Sequence, residues 1–398
     1  MKILWCHEVS YLDKPVYEYQ DFPERLAARG HEVEVIDFSE SGKVIEGSVS
    51  VSRTGEGTVM LTGIPHSNRP GLKYIEAREG FRRMLIDRLR RGDIDAVFVY
   101  AVFINGTQAV RLCRKFGVPV VYRVLDAYHR LRPGLLARTI LRLGERFIYR
   151  RTDRVLVTNE RMGDYVSQIA GVDVSARTTV VDHGVDSVHF APRAPDAELR
   201  ARYGLSDDDT VVLFLGTTYA FSGLANLLRR IPQALDSCPS LKLVIVGGGE
   251  QDAELTALVA ELALASRVFL TGMVAYTEVP RYLSLASLTL NPFELNEITR
   301  DIIPIKILQY QAAGLPVLST PLPDLVRKHG VGVSGVEYSC SDDPDAFLSK
   351  MMELLSDRDR LRSIGRRGLD FVNEHFSVEH AVDRIEATFN QIRGRAKR

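Results

Sequence analysis

Cysteine is scarce in this chain: 398 residues contain four, Cys6, Cys113, Cys238 and Cys340, all far apart. No CxxC pair or nearby pair of histidines accompanies them, which excludes the usual zinc-ligand spacings. They read as reduced, mostly buried thiols, and the expected location is cytoplasmic. Long apolar runs are also missing. The longest, "AVFVYAVFI" from Ala96 to Ile104, has about half the length a membrane-spanning helix needs. The start "MKILWCHEVS" lacks a long apolar segment ending in a small-residue cleavage site, so neither a transmembrane helix nor a signal peptide is expected. There is no excess of charge of either sign. Fifty-one Lys+Arg balance 51 Asp+Glu, which gives no reason to expect a nucleic-acid partner, and any basic surface must be local.

What the chain does have is an ordinary globular composition, 45% hydrophobic and 26% charged. Its length exceeds that at which one core usually keeps growing, so two domains are expected. Short β-rich runs alternate with helical patterns throughout, the mark of βα units around parallel sheets. The first half offers "KILWC", "EVEVIDF", "AVFVYAVF", "VPVVYRVL" and "RVLVTN"; the second offers "VVLFLG", "LKLVIVGGG", "VFLTG", "LTLNPF", "LPVLST" and "GVGVSG". Between them, Val180 to Gly204 is rich in proline, glycine and charge and reads as the connection. The expectation is an α/β protein with two Rossmann-like, doubly wound parallel-sheet domains, 1–195 and 196–376.

In such sheets ligands bind beyond the carboxyl ends of the strands. Three turns of the second domain carry suitable residues there. Gly216 follows "VVLFL", with Ser222 in an N-cap position before the next helix. Gly247 to Gly249, centred on Gly248, follow "LKLVIV" and permit close approach of backbone or ligand. The third is "TRDIIPIKILQYQAAGLPVLST", residues 299–320. Here Pro304 suits the first position of a helix running from about 304 to 313, and Gly314 suits the residue after its end. Lys306, Gln309 and Ala313 share one face of that helix. A lysine beside free N–H groups and the positive end of the dipole makes a phosphate or diphosphate site, with Gln309 able to hydrogen-bond sugar hydroxyls. Taken alone, the helix reads better as a surface element with a solvated Lys306 and a satisfied Gln309; its place after a strand, beside two glycine-bearing turns, moves the balance toward a ligand site.

These segments, together with "RRGLDFVNEHFS" and the connection "VVDHGVDSVHFAP", resemble the GT-B glycosyltransferases, and family 4 among them most, over nearly the whole chain. The resemblance implies two domains facing a cleft, a C-terminal helix (about 377–398) that crosses back onto the first domain, and a retaining transfer that needs no metal and no cofactor. A nucleotide-sugar donor would sit on the second domain. A glycan, glycolipid or small-molecule acceptor would sit on the first. The departing phosphate itself can take the acceptor's proton, so stabilising leaving-group charge is the protein's main task. Residue by residue, the family's two glutamates fall at Asp301 and Gln309, its arginine and lysine after the first strand of the second domain at Thr217 and Ser222, and its His-Asp at Leu125 and Asp126. Lys306 is the cation that carries over, and Arg300 is the nearest to add to it. The expected donor site is therefore Gly216, Thr217, Ser222, Gly248, Arg300, Lys306, Gln309 and Gly314. The expected catalytic set is Lys306, Asp301, Asp126 and His129, with His129 standing in for the family's histidine. The alternative is a non-catalytic subunit of this fold that binds a sugar nucleotide or a partner.

In the first domain His7 and Glu8 end the first strand, and Tyr17 and Tyr19 stand where a helix begins. Nine arginines lie between Arg123 and Arg154. Arg138, Arg142, Arg146 and Arg150 recur every fourth residue, while Leu136, Ile140, Leu143 and Phe147 form an apolar stripe, so 134–151 is a basic amphipathic helix. "FRRMLIDRLRRGD", Phe81 to Asp93, is a second basic patch. Two readings stay open: an apolar stripe facing the core under a solvated basic face, or peripheral binding to an anionic membrane at its inner face, with a lipid-linked acceptor.

Overall fold

In β1 (Lys2–Cys6), Ile3, Leu4, Trp5 and Cys6 are all fully buried, as a parallel strand covered on both faces requires. The two-residue period sends Ile3 and Trp5 to one face. There Trp5 stacks on Phe98 at 3.8 Å, under Phe22 and Leu26 of the helix Glu18–Ala28 and Ile385 and Phe389 of the helix Val378–Ala396. Leu4 and Cys6 face the opposite core, where the helices Leu72–Arg90, Thr107–Phe116 and Leu135–Arg151 contribute Phe81, Leu85, Val110 and Ile148. Apolar side chains on both faces of each strand thus account for helices on both sides of the sheet.

The computed structural model describes residues 1–13, 16–38, 47–67, 69, 71–130 and 134–396, with only the backbone of Asp301 and 394–396. The chain divides into two units, Met1–His183 with Val378–Arg398, and Gly184–Ser377. In the first, β2 (Glu32–Asp37), β3 (Ser48–Val51), β4 (Val59–Gly63), β5 (Ala96–Val99), β6 (Val120–Val124), β7 (Arg154–Val157) and β8 (Thr178–Val180) join β1 in the order β3-β4-β2-β1-β5-β6-β7-β8. Every neighbouring pair is parallel except β3 with β4. The order reverses between β1 and β5, so the residues that follow them, His7 and Tyr100, flank the switch point.

The second unit is an all-parallel sheet of β9 (Thr210–Leu215), β10 (Leu241–Val246), β11 (Val268–Gly272), β12 (Leu288–Asn291), β13 (Val317–Ser319) and β14 (Val336–Tyr338), in the order β11-β10-β9-β12-β13-β14. Its switch point lies between β9 and β12, whose carboxyl ends lead into Gly216 and Pro292.

Some expectations need correction. The segment "GVGVSG" is a turn, not a strand: Gly330, Gly332 and Gly335 have positive φ, Val331 and Val333 point to solvent, and β14 begins after it. Strands β3, β4 and β8 were not foreseen. The division at His183/Gly184 falls earlier than the expected 195/196. Cys6 and Cys113 are buried, Cys238 is half-buried and Cys340 is exposed; all four are free thiols.

Candidate functional site

At the carboxyl edge of the second sheet the backbone comes unusually close to itself. Gly216 and Gly247 end neighbouring strands with φ of 129° and 128°. A Cβ on Gly247 would lie 2.1 Å from the Gly216 carbonyl oxygen, so only glycine fits. The turn after Gly216 is then locked to the turn after Gly247. The Thr218 hydroxyl donates to Asp252 Oδ1 at 2.6 Å, Gly249 N–H donates to the same oxygen at 2.9 Å, and Gln251 N–H donates to the Thr218 carbonyl at 3.1 Å.

Against this edge lies the helix Ile305–Ala312. Pro304 is its N-cap residue, with ψ of 124°, and not its first helical residue as the sequence suggests. The face presented to the sheet also differs from the expected one. Lys306 and Tyr310, one turn apart, are the inward pair, while Gln309 is half-buried. The Tyr310 hydroxyl accepts from Leu215 N–H at 2.7 Å and donates to the Leu290 carbonyl at 3.3 Å, which ties the helix to the ends of β9 and β12. One turn back, the Lys306 side chain is 6% exposed. Its Nζ lies 3.7 Å from the centroid of Phe214 and 4.1 Å from that of Phe293. Among the described residues it has no hydrogen-bond partner. It borders Gly216 so closely that a Cβ there would lie 3.3 Å from Lys306 Cε and 3.4 Å from Nζ. Burial alone pushes the amine well below the ordinary lysine range. The two rings offset part of the desolvation cost through the cation–π attraction, but the N–H donors remain unused.

Other expected donor residues are placed differently. Ser222 is fully buried in the short turn Ala220–Ser222, where its hydroxyl donates to Gln251 Oε1 at 3.0 Å; Gly223, not Ser222, precedes the next helix. Thr217 is exposed at the edge, and Gly248 is buried under Asp252 and Met273. Gly314 sits at the other end of the helix from Lys306, where it packs on Pro192. Arg300 is exposed in the turn Thr299–Asp301, and the Asp301 side chain lies outside the described residues.

In the first unit Asp126 is exposed just after β6. His129, five residues past the strand's end, lies 2.7 Å through Nδ1 from Glu145 Oε2, and Tyr165 donates to Glu145 Oε1 at 3.1 Å. Burial raises the Glu145 carboxyl above its usual range, opposed by these two hydrogen bonds. His7 is sealed among Tyr11, Tyr19 and Tyr100, with neither ring nitrogen bonded among the described residues, and burial lowers it to about 3. Tyr17 hydrogen-bonds His183 Nδ1 at 2.6 Å, so it packs the helix start. Arg123 is fully buried and forms a fork with Glu18, at 3.0 and 2.8 Å. Burial alone would raise Glu18; the charge of Arg123 and hydrogen bonds from Arg123 and His183 outweigh it and hold the carboxyl at about 2.

The two basic patches also separate. On the helix Leu72–Arg90, Arg88 pairs with Glu34, Arg82 and Arg83 pair with Glu79, and beyond its end Arg91 pairs with Asp87. On the helix Leu135–Arg151 three of the four stripe residues do not face the core: Leu136, Ile140 and Leu143 are 76%, 48% and 62% exposed, among exposed Arg138, Arg142, Arg146 and Arg150, while Phe147 is half-buried against the core. The helix's one acid, Glu145, points inward. No helix among the described residues is long and apolar enough to cross a membrane.

The residues that sequence reasoning missed are Phe214, Phe293 and Tyr310 around the lysine, Thr218 and Asp252 in the turn, and Glu145 and Tyr165 around His129. For Tyr310 a signal existed, since four residues after Lys306 is the same helix face. Of the aromatic pair, Phe214 comes from β9 and Phe293 from the segment after β12, so the pair carries no local signal.

Comparison with known proteins agrees with this architecture. Residues 209–357 match the family described as glycosyl transferases group 1, and residues 20–184 match the glycosyl transferase 4-like domain. A GDP-mannose-dependent alpha-(1-6)-phosphatidylinositol monomannoside mannosyltransferase of Mycobacterium tuberculosis is 34% identical over 197 residues, 48% of this chain and 49% of the relative. The match thus spans about half the length of that relative. A D-inositol 3-phosphate glycosyltransferase of Catenulispora acidiphila is 27% identical over 318 residues, covering 75% of this chain and 72% of the relative. Among solved structures, a sucrose-phosphate synthase of Thermosynechococcus elongatus superimposes with a TM-score of 0.76 at 17% identity, covering 98% of this chain and 99% of the other.

Proposed function

The chain belongs to the GT-B glycosyltransferases of the family 4 type, and from that premise we propose that it moves a sugar from a nucleoside-diphosphate donor to a hydroxyl acceptor. One observation carries this reading: the enclosed amine of Lys306 beside Gly216, without a hydrogen-bond partner among the described residues. A buried cation without a hydrogen-bonded counter-charge costs several kcal/mol. Such a group is accounted for when an anion completes it. A donor diphosphate seated beyond Gly216 accepts from Nζ and meets the N–H groups of Ile305 and Lys306 at the start of the helix Ile305–Ala312, whereas that of Ile307 donates to the Pro304 carbonyl at 2.9 Å. In the transfer step the amine and the helix end stabilise charge as it gathers on the departing phosphate. Retention of the anomeric configuration and independence of metal belong to this proposal. So does the acceptor's place at the carboxyl edge of the first sheet.

The relatives that act on phosphatidylinositol mannoside and inositol phosphate support a polyol or lipid-linked acceptor. The exposed leucines and arginines of the helix Leu135–Arg151 support docking of the first unit on an anionic bilayer. The test is calorimetric titration of the purified protein with GDP, UDP and ADP, followed by donor turnover with lipid extract. Lys306→Met is expected to abolish nucleotide affinity. Retained affinity overturns the placement of the diphosphate. Nucleotide binding without turnover of any donor leaves the binding-subunit alternative.

A further inference from the structure

Glu145 is fully buried on the inner side of the arginine-bearing helix Leu135–Arg151, and it gathers two groups from outside that helix. Its Oε2 lies 2.7 Å from His129 Nδ1 and its Oε1 accepts from the Tyr165 hydroxyl at 3.1 Å. The Tyr165 oxygen is also 3.0 Å from His129 Nδ1. The imidazole lies nearly parallel to the Tyr165 ring, with 10° between planes and centroids 6.1 Å apart, and the Arg130 guanidinium sits 5.5 Å over that ring. These contacts fix both the tilt of the imidazole and its rotation. A hydroxyl has one proton to give, and Tyr165 gives it to Oε1. The remaining carboxylate oxygen therefore accepts from Nδ1, so Nδ1 carries a proton, and in the neutral ring the lone pair is on Nε2. Among the described residues nothing bonds to Nε2, and His129 is only half-buried, in the turn after β6.

We propose that Glu145 is a positioning residue for the acceptor: it holds His129 as the Nδ1–H tautomer, so that Nε2 accepts a hydrogen bond from an acceptor hydroxyl at the edge of the first sheet. This rests on the reading of that edge as the acceptor side. The recognised group is a polyol or sugar hydroxyl, and its orientation toward the donor is what the bond supplies.

The experiment has two arms on the full chain. Long-range proton–nitrogen correlation on 15N-histidine-labelled protein reads the tautomer of His129 with no substrate present. Wild type and Tyr165→Phe should show Nδ1–H, and Glu145→Gln should show loss of that single form, because an amide can face Nδ1 with either end. Kinetics read the second arm. Glu145→Gln should lower the kcat for transfer by about 10- to 100-fold, the size seen for loss of a group that orients a metal-bound histidine, with donor KM unchanged; Glu145→Asp should restore part of it. An unchanged tautomer in Glu145→Gln overturns the proposal even if stability falls, since that is the behaviour of a structural group. A shifted tautomer with unchanged transfer overturns it while leaving the glycosyltransferase reading intact. Absence of any donor turnover in wild type overturns that reading instead, separately from the tautomer result.

Discussion

Lys306 couples stability to function in opposite directions. Lys306→Met keeps the apolar stem between Phe214 and Phe293 but removes the unpaired amine. Unpaired buried polar groups cost about 1–3 kcal/mol, and each kcal/mol moves Tm by about 2–4 °C in a unit of this size. The free variant should therefore melt higher than wild type, while GDP or UDP should no longer raise its Tm; scanning calorimetry reads both. The sign with pH follows from burial. The folded pKa lies below the unfolded one, so the unfolded state binds the extra proton and the penalty is fully present below the folded pKa. It fades as pH rises toward the unfolded value of about 10.4, and the gap between variant and wild type should narrow with it. At Gly216, alanine demands a φ of 129° and crowds the amine; nucleotide affinity should fall in Gly216→Ala even where the fold survives. At this scale the sequence made Lys306 and the glycine turns legible, because each is a local departure from a core pattern. It did not reveal the cage, since Phe214 and Phe293 come together only when β9 and β12 pair. Ser222 misled because a hydroxyl before a helix reads as a cap, whereas Gln251 had already taken it.

The arginine-bearing helix Leu135–Arg151 tests a different link. Its outward face exposes large apolar side chains beside cations that repeat every fourth residue, whereas the helix Leu72–Arg90 spends its basic charges on nearby acids. Replacing Leu136, Ile140 and Leu143 together with glutamate should abolish sedimentation with phosphatidylserine or phosphatidylinositol vesicles, leave nucleotide affinity unchanged, and cost little stability. Raising salt should weaken wild-type binding, since each basic residue near an anionic surface contributes about 1 kcal/mol that screening removes. The heptad-like spacing was legible, but whether the stripe faced core or solvent was not. Neither hydrophobicity nor period distinguishes the two, and the answer came from which neighbours were already packed, with Ile148 and Tyr149 rather than Leu143 turned inward. The same limit explains the edge strand β3, whose exposed "SVSV" has too little apolar content to announce itself.

Across the molecule, the alternation of strands and helices was enough to specify two doubly wound units, because strands buried on both faces must be apolar throughout. Less visible were the charged groups each unit hides. His7 in the first unit and His329 in the second are both buried and lowered to about 3, chiefly by burial. Their unfolded value is about 6.5, so the unfolded state binds more protons between those limits and stability falls as pH drops through that window. Glu18, held at about 2, works in the same direction below about pH 4.3 in the first unit. In the first unit the buried carboxyls of Asp37, raised to about 7, and Glu145 work in the opposite direction, so the cleaner test is in the second: His329→Phe should flatten its acid limb alone, as tryptophan fluorescence of Trp5 and total circular dichroism would separate. Deleting residues from Val378 onward strips Val382, Ile385 and Phe389 from the core over β1; limited proteolysis should then digest the first unit and spare Gly184–Ser377. That final helix also orders events during synthesis. The stretch Gly184–Ser377 is continuous in the chain, so it has all its parts as soon as it clears the ribosome, while the earlier-made unit must wait, half-covered, for the last helix to arrive. A nascent chain paused before that point offers the uncovered part of an apolar sheet face to whatever chaperone reaches it first.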